Sequence, residues 1–167
     1  MNKRGFTLIE LLVVIGIIAV LVAFAATNYV GVRSRAKDVK KKSEIMSMKN
    51  ALRLFYNDFA NYPGPTSTST NTFDGCGTAV PPAGNCLTTC SGQFAAGATG
   101  CDTVYMKQLP LSTEYVWSYR QINSGDDFCL WAALENVSDG DIANSQAKCA
   151  TGCSSLVSSS DFVACAD

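Results

Sequence analysis

Three groups of residues in this chain could do chemistry, and one residue type that often does is missing. There is no histidine. That removes the commonest general base and the usual nitrogen ligand for zinc, so Ser-His or Cys-His catalysis and His-ligated zinc are excluded. Eight cysteines, Cys76, Cys86, Cys90, Cys101, Cys129, Cys149, Cys153 and Cys165, all lie in the second half. An even number confined to one polar region reads as a disulfide framework formed outside the cytoplasm. A Cys-only metal site is the rival, but no pair has C-x-x-C spacing; Cys86/Cys90 and Cys149/Cys153 come nearest. Eight cysteines allow 105 pairings, and spacing does not choose among them. The segment "ENVSDGDIANSQ" gathers Glu135, Asp139, Asp141 and Asn144 around Gly140. Such oxygen donors on a turn are candidates for calcium, although the spacing is not that of an EF-hand loop. The last group is a single carboxylate. Glu10 stands inside "KRGFTLIELLVVIGIIAVLVAFAA", a run otherwise apolar or small from Phe6 to Ala26 apart from Thr7.

The element that carries Glu10 decides what it can do. One reading is a secretory signal peptide: Lys3 and Arg4 supply a positive start, and Ala23-Phe24-Ala25 fits a small-x-small cleavage site. The run is longer than such cores usually are, and Glu10 would be an uncompensated charge in it. The other reading is a membrane helix. At about 1.5 Å per residue, Phe6–Ala26 spans about 32 Å, close to the roughly 30 Å hydrocarbon core of a bilayer. An ionisable group at that depth is functional by default and needs a partner. Cutting the chain between Gly5 and Phe6 would make one, because the new α-amino group on a neighbouring chain could reach Glu10 in a low dielectric.

Lys3-Arg4-Gly5-Phe6-Thr7-Leu8-Ile9-Glu10, followed by Leu11-Leu12-Val13-Val14-Ile15, resembles the class III leader of type IV pilins and type II secretion pseudopilins. The resemblance covers about residues 1–64 and includes "FYNDFANYPG". It implies that a membrane-embedded prepilin peptidase cleaves after Gly5 and methylates the Phe6 amine. It further implies that Glu10 docks neighbouring subunits during assembly. The precursor would be a single-pass protein of the inner (cytoplasmic) membrane with its leader inside and its head outside. The mature protein would enter an extracellular or periplasmic filament. Partners would be copies of itself, other pilins and the inner-membrane assembly machinery; the chain would be a peptidase substrate and not an enzyme. Major pseudopilins carry calcium in a C-terminal loop, which makes a pseudopilin with a calcium-binding head one alternative. A secreted disulfide-rich binding module, released by signal peptidase near Ala25, is another. Many family members have a helix-kinking proline near the end of the apolar run, where this chain has Thr27 before Asn28-Tyr29.

Charge divides the chain further. Residues 1–53 hold ten Lys/Arg against three Asp/Glu, and residues 54–167 hold three against eleven. A basic stem thus precedes an acidic outer region. The acidic region argues against nucleic-acid binding, whose footprint is basic. Beyond the membrane run stand Arg33, Arg35, Lys37, Lys40, Lys41 and Lys42, against Lys3 and Arg4 before it. Flanking charge alone would place the C-terminal side in the cytoplasm; the cysteines and the leader say otherwise, and large domains translocate largely regardless of charge.

The expected fold is α+β: a long N-terminal helix, membrane-spanning in its first half, packed on a small antiparallel sheet in a disulfide-stapled head. Its parts would be a leader (1–5), a membrane and filament-core helix (6–30), an amphipathic helical half (31–62) and the globular head (63–167). Ile45, Met48, Leu52, Phe55 and Phe59 recur at helical spacing on one face, and Tyr62-Pro63-Gly64 ends the helix. Residues 65–104, rich in Thr, Ser, Gly, Ala, Asn and Pro, read as a surface loop stapled by four cysteines. Glu114–Ile122 and Phe128–Leu134, joined by "NSGD", read as an antiparallel hairpin, with Asp161–Ala164 as a further short strand.

Overall fold

No proline falls between Phe6 and Tyr62, so nothing in that span removes a helical donor or forces a kink. In a computed structural model, which describes residues 6–111 and 113–166 and their side chains apart from those of residues 25–28 and 30, one helix results, α1 (Leu8–Phe59). Its backbone is helical through Thr27, as the absence of proline there allows. The helix stops at Phe59, short of Tyr62, because Ala60 turns left-handed (φ 51°). The chain divides into two compact units, up to Lys37 and from Asp38 onward.

In the first unit α1 presents apolar side chains to the exterior along its described length. Leu8 is 87% exposed, Ile15 57% and Phe24 74%. Among the described residues, no helix is long and apolar enough to cross a membrane. The described apolar side chains run from Leu8 to Phe24, roughly 25 Å of helix at about 1.5 Å per residue, and side chains 25–28 lie outside the described set.

The second unit is built on a four-stranded antiparallel sheet in the order β1-β6-β7-β8. Its strands are β1 (Ser69–Thr70), β6 (Trp117–Ile122), β7 (Asp127–Ala133) and β8 (Asp161–Ala164). The β6–β7 hairpin pairs Trp117 with Ala132, Tyr119 with Leu130 and Gln121 with Phe128. Ile45, Met48, Leu52 and Phe55 of α1 are fully buried in one core with Trp117, Tyr119, Phe128 and Leu130, and Phe59 packs at its margin. The sheet's other face is covered too. Cys129 and Trp131 of β7 sit in a second cluster with Val163, Cys149, Cys153 and Cys165. Burial on both faces is why β7 reads as a continuous apolar run and not as alternation.

Two parts of the head differ from expectation. Residues 65–104 are not a loop lying over the surface. They form β1, β2 (Asp74–Cys76), β3 (Gly84–Asn85), the one-turn α2 (Cys86–Thr89) and β4 (Phe94–Ala96), which pairs with β5 (Thr103–Met106). Phe73, Phe94, Ala95 and Ala96 are fully buried there. Phe73 packs against Trp117 and Tyr119 at ring separations of 4.9 and 4.7 Å, and Phe94 against Phe55 at 5.2 Å. Strands of two to four residues leave no periodic pattern to read. The acidic linker also differs, since it runs into a helix, α3 (Gly140–Lys148), followed by α4 (Ala150–Cys153). Asp139 caps α3 by accepting from the Asp141 N–H.

All eight cysteines are paired: Cys76–Cys86, Cys90–Cys101, Cys129–Cys153 and Cys149–Cys165. Loops of this size are each worth about 3 kcal/mol in the chain-entropy account. The staples matter most in residues 65–104, where regular hydrogen bonding is short.

Candidate functional site

Glu10 is not a lone charge. The Thr7 N–H and the Thr7 hydroxyl both donate to Glu10 Oε2, at 2.9 and 2.8 Å, and the Glu10 N–H donates back to Thr7 Oγ1 at 3.3 Å. Leu8 is the first helical residue, so Thr7 is the N-cap and Glu10 the third helical position. The pair forms a capping box that satisfies two donors which an apolar setting would otherwise leave bare. A carboxylate in the first turn also faces the positive end of the helix dipole. The signal for this was present in the sequence, since Thr-x-x-Glu before an apolar run is the capping-box pattern. It falls on the residues expected to dock a neighbour.

Phe6, immediately before the cap, is 82% exposed. With Ile9, Glu10, Val13 and Val14 it lines a shallow surface crevice of about 360 Å³. The structure thus places Phe6 and Glu10 at one spot on the helix start. Gly5, the expected cleavage position, lies outside the described residues, as do Lys3 and Arg4.

The four candidate calcium donors do not converge. Asp139 Oδ2 and Asp141 Oδ2 both accept from Lys42 Nζ of α1, at 2.9 and 2.6 Å. Asn144 lies within α3, held by the helix and not on a free turn. Glu135 is exposed, and its backbone N–H donates to Asp38 Oδ1 at 2.8 Å. Among the described residues, no group of three or more acidic or cysteine side chains is arranged to hold a metal ion. Calcium takes six to eight oxygens; here an ammonium lies where the two nearest carboxylates point. Lys42 holds Asp139 below the ordinary carboxylate range, helped by the Asp141 N–H. The hydrogen bond to Asp141, and then that to Asp139, raises the Lys42 ammonium above its ordinary value.

Asp38, one turn before Lys42, was missed in the sequence because a lone acid in a basic stretch gives no signal. It is 1% exposed. Besides Glu135, its carboxylate accepts from the Asn136 N–H at 2.8 Å, and Lys41 Nζ lies 3.8 Å away. Lys41 itself donates to the Ala133 carbonyl at 3.0 Å.

Comparison with known proteins bears on the helix start. Residues 1–26 match the family model described as the prokaryotic N-terminal methylation motif. The chain is 38% identical over 69 residues to the type IV major pilin protein PilA of Myxococcus xanthus, covering 38% of this chain and 31% of that one. It is 40% identical over 62 residues to the type II secretion system core protein G of Escherichia coli, covering 37% of this chain and 43% of the relative. The protein of that name from Vibrio cholerae is 36% identical over 62 residues, covering 37% and 42%. The match therefore spans less than half the length of these relatives. No solved structure matches the chain.

Proposed function

We propose that this chain, which opens on the N-terminal methylation motif and is similar to a type IV pilin and to type II secretion core protein G, is the precursor of a structural filament subunit. It would be cut after Gly5, methylated on the Phe6 amine and polymerised into a type IV pilus or a secretion pseudopilus. The observation that carries this reading is the first unit of α1: an exposed apolar helix whose single carboxylate is turned onto its own cap. An apolar surface this continuous has two stable surroundings, lipid and other copies of itself. The precursor would use the first in the inner membrane, and the filament would use the second.

In that scheme the chain's own residues act in order. Thr7 screens Glu10 while the subunit waits, so the carboxylate is tolerated in an apolar setting. Cleavage turns the Phe6 nitrogen from an amide into a cation, and Glu10 gains a charged partner on the adjacent subunit. A charge-assisted pair in a low dielectric then fixes the axial register between helices. The head is displayed outward with its disulfides closed. Prepilin peptidase, the assembly machinery and other pilins would be its partners, and the chain would catalyse nothing itself.

Glu10→Ala tests the docking role. The variant is expected to be cleaved and methylated normally, yet to be lost from filaments purified by shearing and measured by mass. Wild-type incorporation of Glu10→Ala would refute the role. Mass analysis of the exported wild-type protein is expected to find a methylated Phe6 at its start. A start near Thr27 would instead favour a secreted module released by signal peptidase.

A further inference from the structure

The four disulfides differ in how they lie along the chain. Cys76–Cys86 and Cys90–Cys101 each join neighbouring cysteines. Cys129–Cys153 and Cys149–Cys165 cross, because Cys149 lies inside the first loop and Cys153 inside the second. We propose that this chain is a substrate of a thiol–disulfide isomerase, a dithiol protein that must act on Cys129, Cys149, Cys153 and Cys165 before the head reaches its final pairing. The proposal rests on the reading that the head is exported to an oxidising compartment.

Nothing in the unfolded segment favours the crossed pairs. Closing Cys129 on Cys149 spans a slightly shorter loop than the native 24-residue separation, a factor of about 1.3 in closure probability from the three-halves-power law. Closing Cys153 on Cys165 instead of the native 16-residue separation is favoured by about 1.5. Order of synthesis acts the same way. Domains form from the N-terminus as the chain emerges, so Cys129, Cys149 and Cys153 meet oxidant before Cys165 is present. Only the folded second cluster selects the native pairs, where all four cysteines are buried with Trp131 and Val163. That cluster needs β8 beside β7, and Cys165 lies just beyond β8.

Correction is an exchange with no net oxidation. The isomerase thiolate attacks Cys149 Sγ of a Cys129–Cys149 bond, forming a mixed disulfide and releasing the Cys129 thiolate. That thiolate attacks Cys153 Sγ of Cys153–Cys165, forming Cys129–Cys153 and releasing the Cys165 thiolate. Cys165 then attacks Cys149 Sγ of the mixed disulfide, forming Cys149–Cys165 and returning the isomerase thiolate. Three S–S bonds break and three form. A protein or small-molecule disulfide oxidant supplies the four disulfides in the first place.

The test is refolding of the reduced, unfolded full chain in detergent micelles, with oxidised glutathione alone or with protein disulfide isomerase in a mixed glutathione buffer. Linked peptides are identified by mass after non-reducing digestion. Cys76–Cys86 and Cys90–Cys101 are expected in both arms. With oxidised glutathione alone, the native C-terminal pairs should fall to about one-third or less of chains, the share expected for three possible pairings of four cysteines. The isomerase should raise that share about threefold. Cys149→Ser combined with Cys165→Ser removes the crossing, and Cys129–Cys153 should then form equally in both arms. Native pairing of the wild type without isomerase, or a double variant that still depends on it, overturns the proposal. Either result leaves the filament reading standing, and a chain processed near Thr27 would overturn that reading while leaving this one.

Discussion

Asp38→Ala probes how the acidic segment after β7 is tied to α1. The carboxylate is buried and accepts two backbone N–H groups, from Glu135 and Asn136, each at 2.8 Å. Hydrogen bonds to a charged acceptor are worth about 1.5–3 kcal/mol each. Glu135 is exposed and Asn136 half-buried, so water can reach part of what the substitution leaves bare, which selects the lower end of that range. The loss of the Lys41 partner adds to it, because Lys41 is nearly buried at 3.8 Å from Oδ1. The two bonds come to about 3 kcal/mol, and with the Lys41 contact the loss is at least that. For a head of this size that is a fall in Tm of roughly 10 °C. Thermal unfolding of the full chain in detergent reads it directly, since Trp117 and Trp131 both lie in the head's buried clusters. Asp38→Asn keeps one accepting oxygen and is expected to cost about half as much. A loss below about 1 kcal/mol for Asp38→Ala would mean that water substitutes for the carboxylate as acceptor, and the clamp argument would be wrong.

The Lys42 cluster yields two further expectations. Asp139 sits below its ordinary value of 3.8, so its contribution is present above the ordinary carboxylate range and lost as pH falls through the depressed value. Lys42 sits above its ordinary 10.5, so its contribution is full below that pH and lost as pH rises through the raised value. The difference in Tm between wild type and Lys42→Ala should therefore be flat between those limits and shrink at both ends. A difference that stays constant down to strongly acid pH would refute the assignment. Calcium or a chelator should leave the wild-type Tm unmoved, because Lys42 already faces Asp139 and Asp141; a drop of several degrees on chelation would reveal a cation site and refute this account.

The elements legible in the sequence are those with a sustained period or a strong boundary. The Ile45–Phe59 stripe and Asp161–Ala164 lie where the residue pattern placed them, and so does the β6–β7 hairpin, except that its first strand begins at Trp117 and not Glu114 and its second runs Asp127–Ala133 and not Phe128–Leu134. What escaped has a physical cause in each case. Phe73 and Phe94 enter the core as single aromatic residues in a Ser-, Thr- and Gly-rich background, held by disulfides and ring contacts, not by strand length. The helix α3 (GDIANSQAK) buries only Ile142 and Ser145, so its apolar stripe is too thin to register. At the helix start the partner that the structure gives Glu10 is Thr7. A carboxylate in an apolar run draws the eye to a distant counter-charge before a hydroxyl three residues away.

The basic stretch after the apolar run, which in the sequence conflicts with a head outside the cytoplasm, changes meaning once its side chains have partners. Lys40 bonds to Glu114, Lys41 to the Ala133 carbonyl, Lys42 to Asp139 and Asp141, and Arg53 to the Ala166 carbonyl. These cations belong to the head's own charge pattern: a basic helix face set against an acidic, carbonyl-rich surround. Flanking-charge rules weigh lysines as free charges beside a membrane, whereas a lysine paired within a folded head contributes little outside it. Part of the opposition between ten cations in residues 1–53 and eleven anions in residues 54–167 is then an internal complementarity, carried by Lys40 and Lys42 on Glu114, Asp139 and Asp141. It fastens the loops after β7 and before β6 to the helix that, in the proposed filament, joins them to the core.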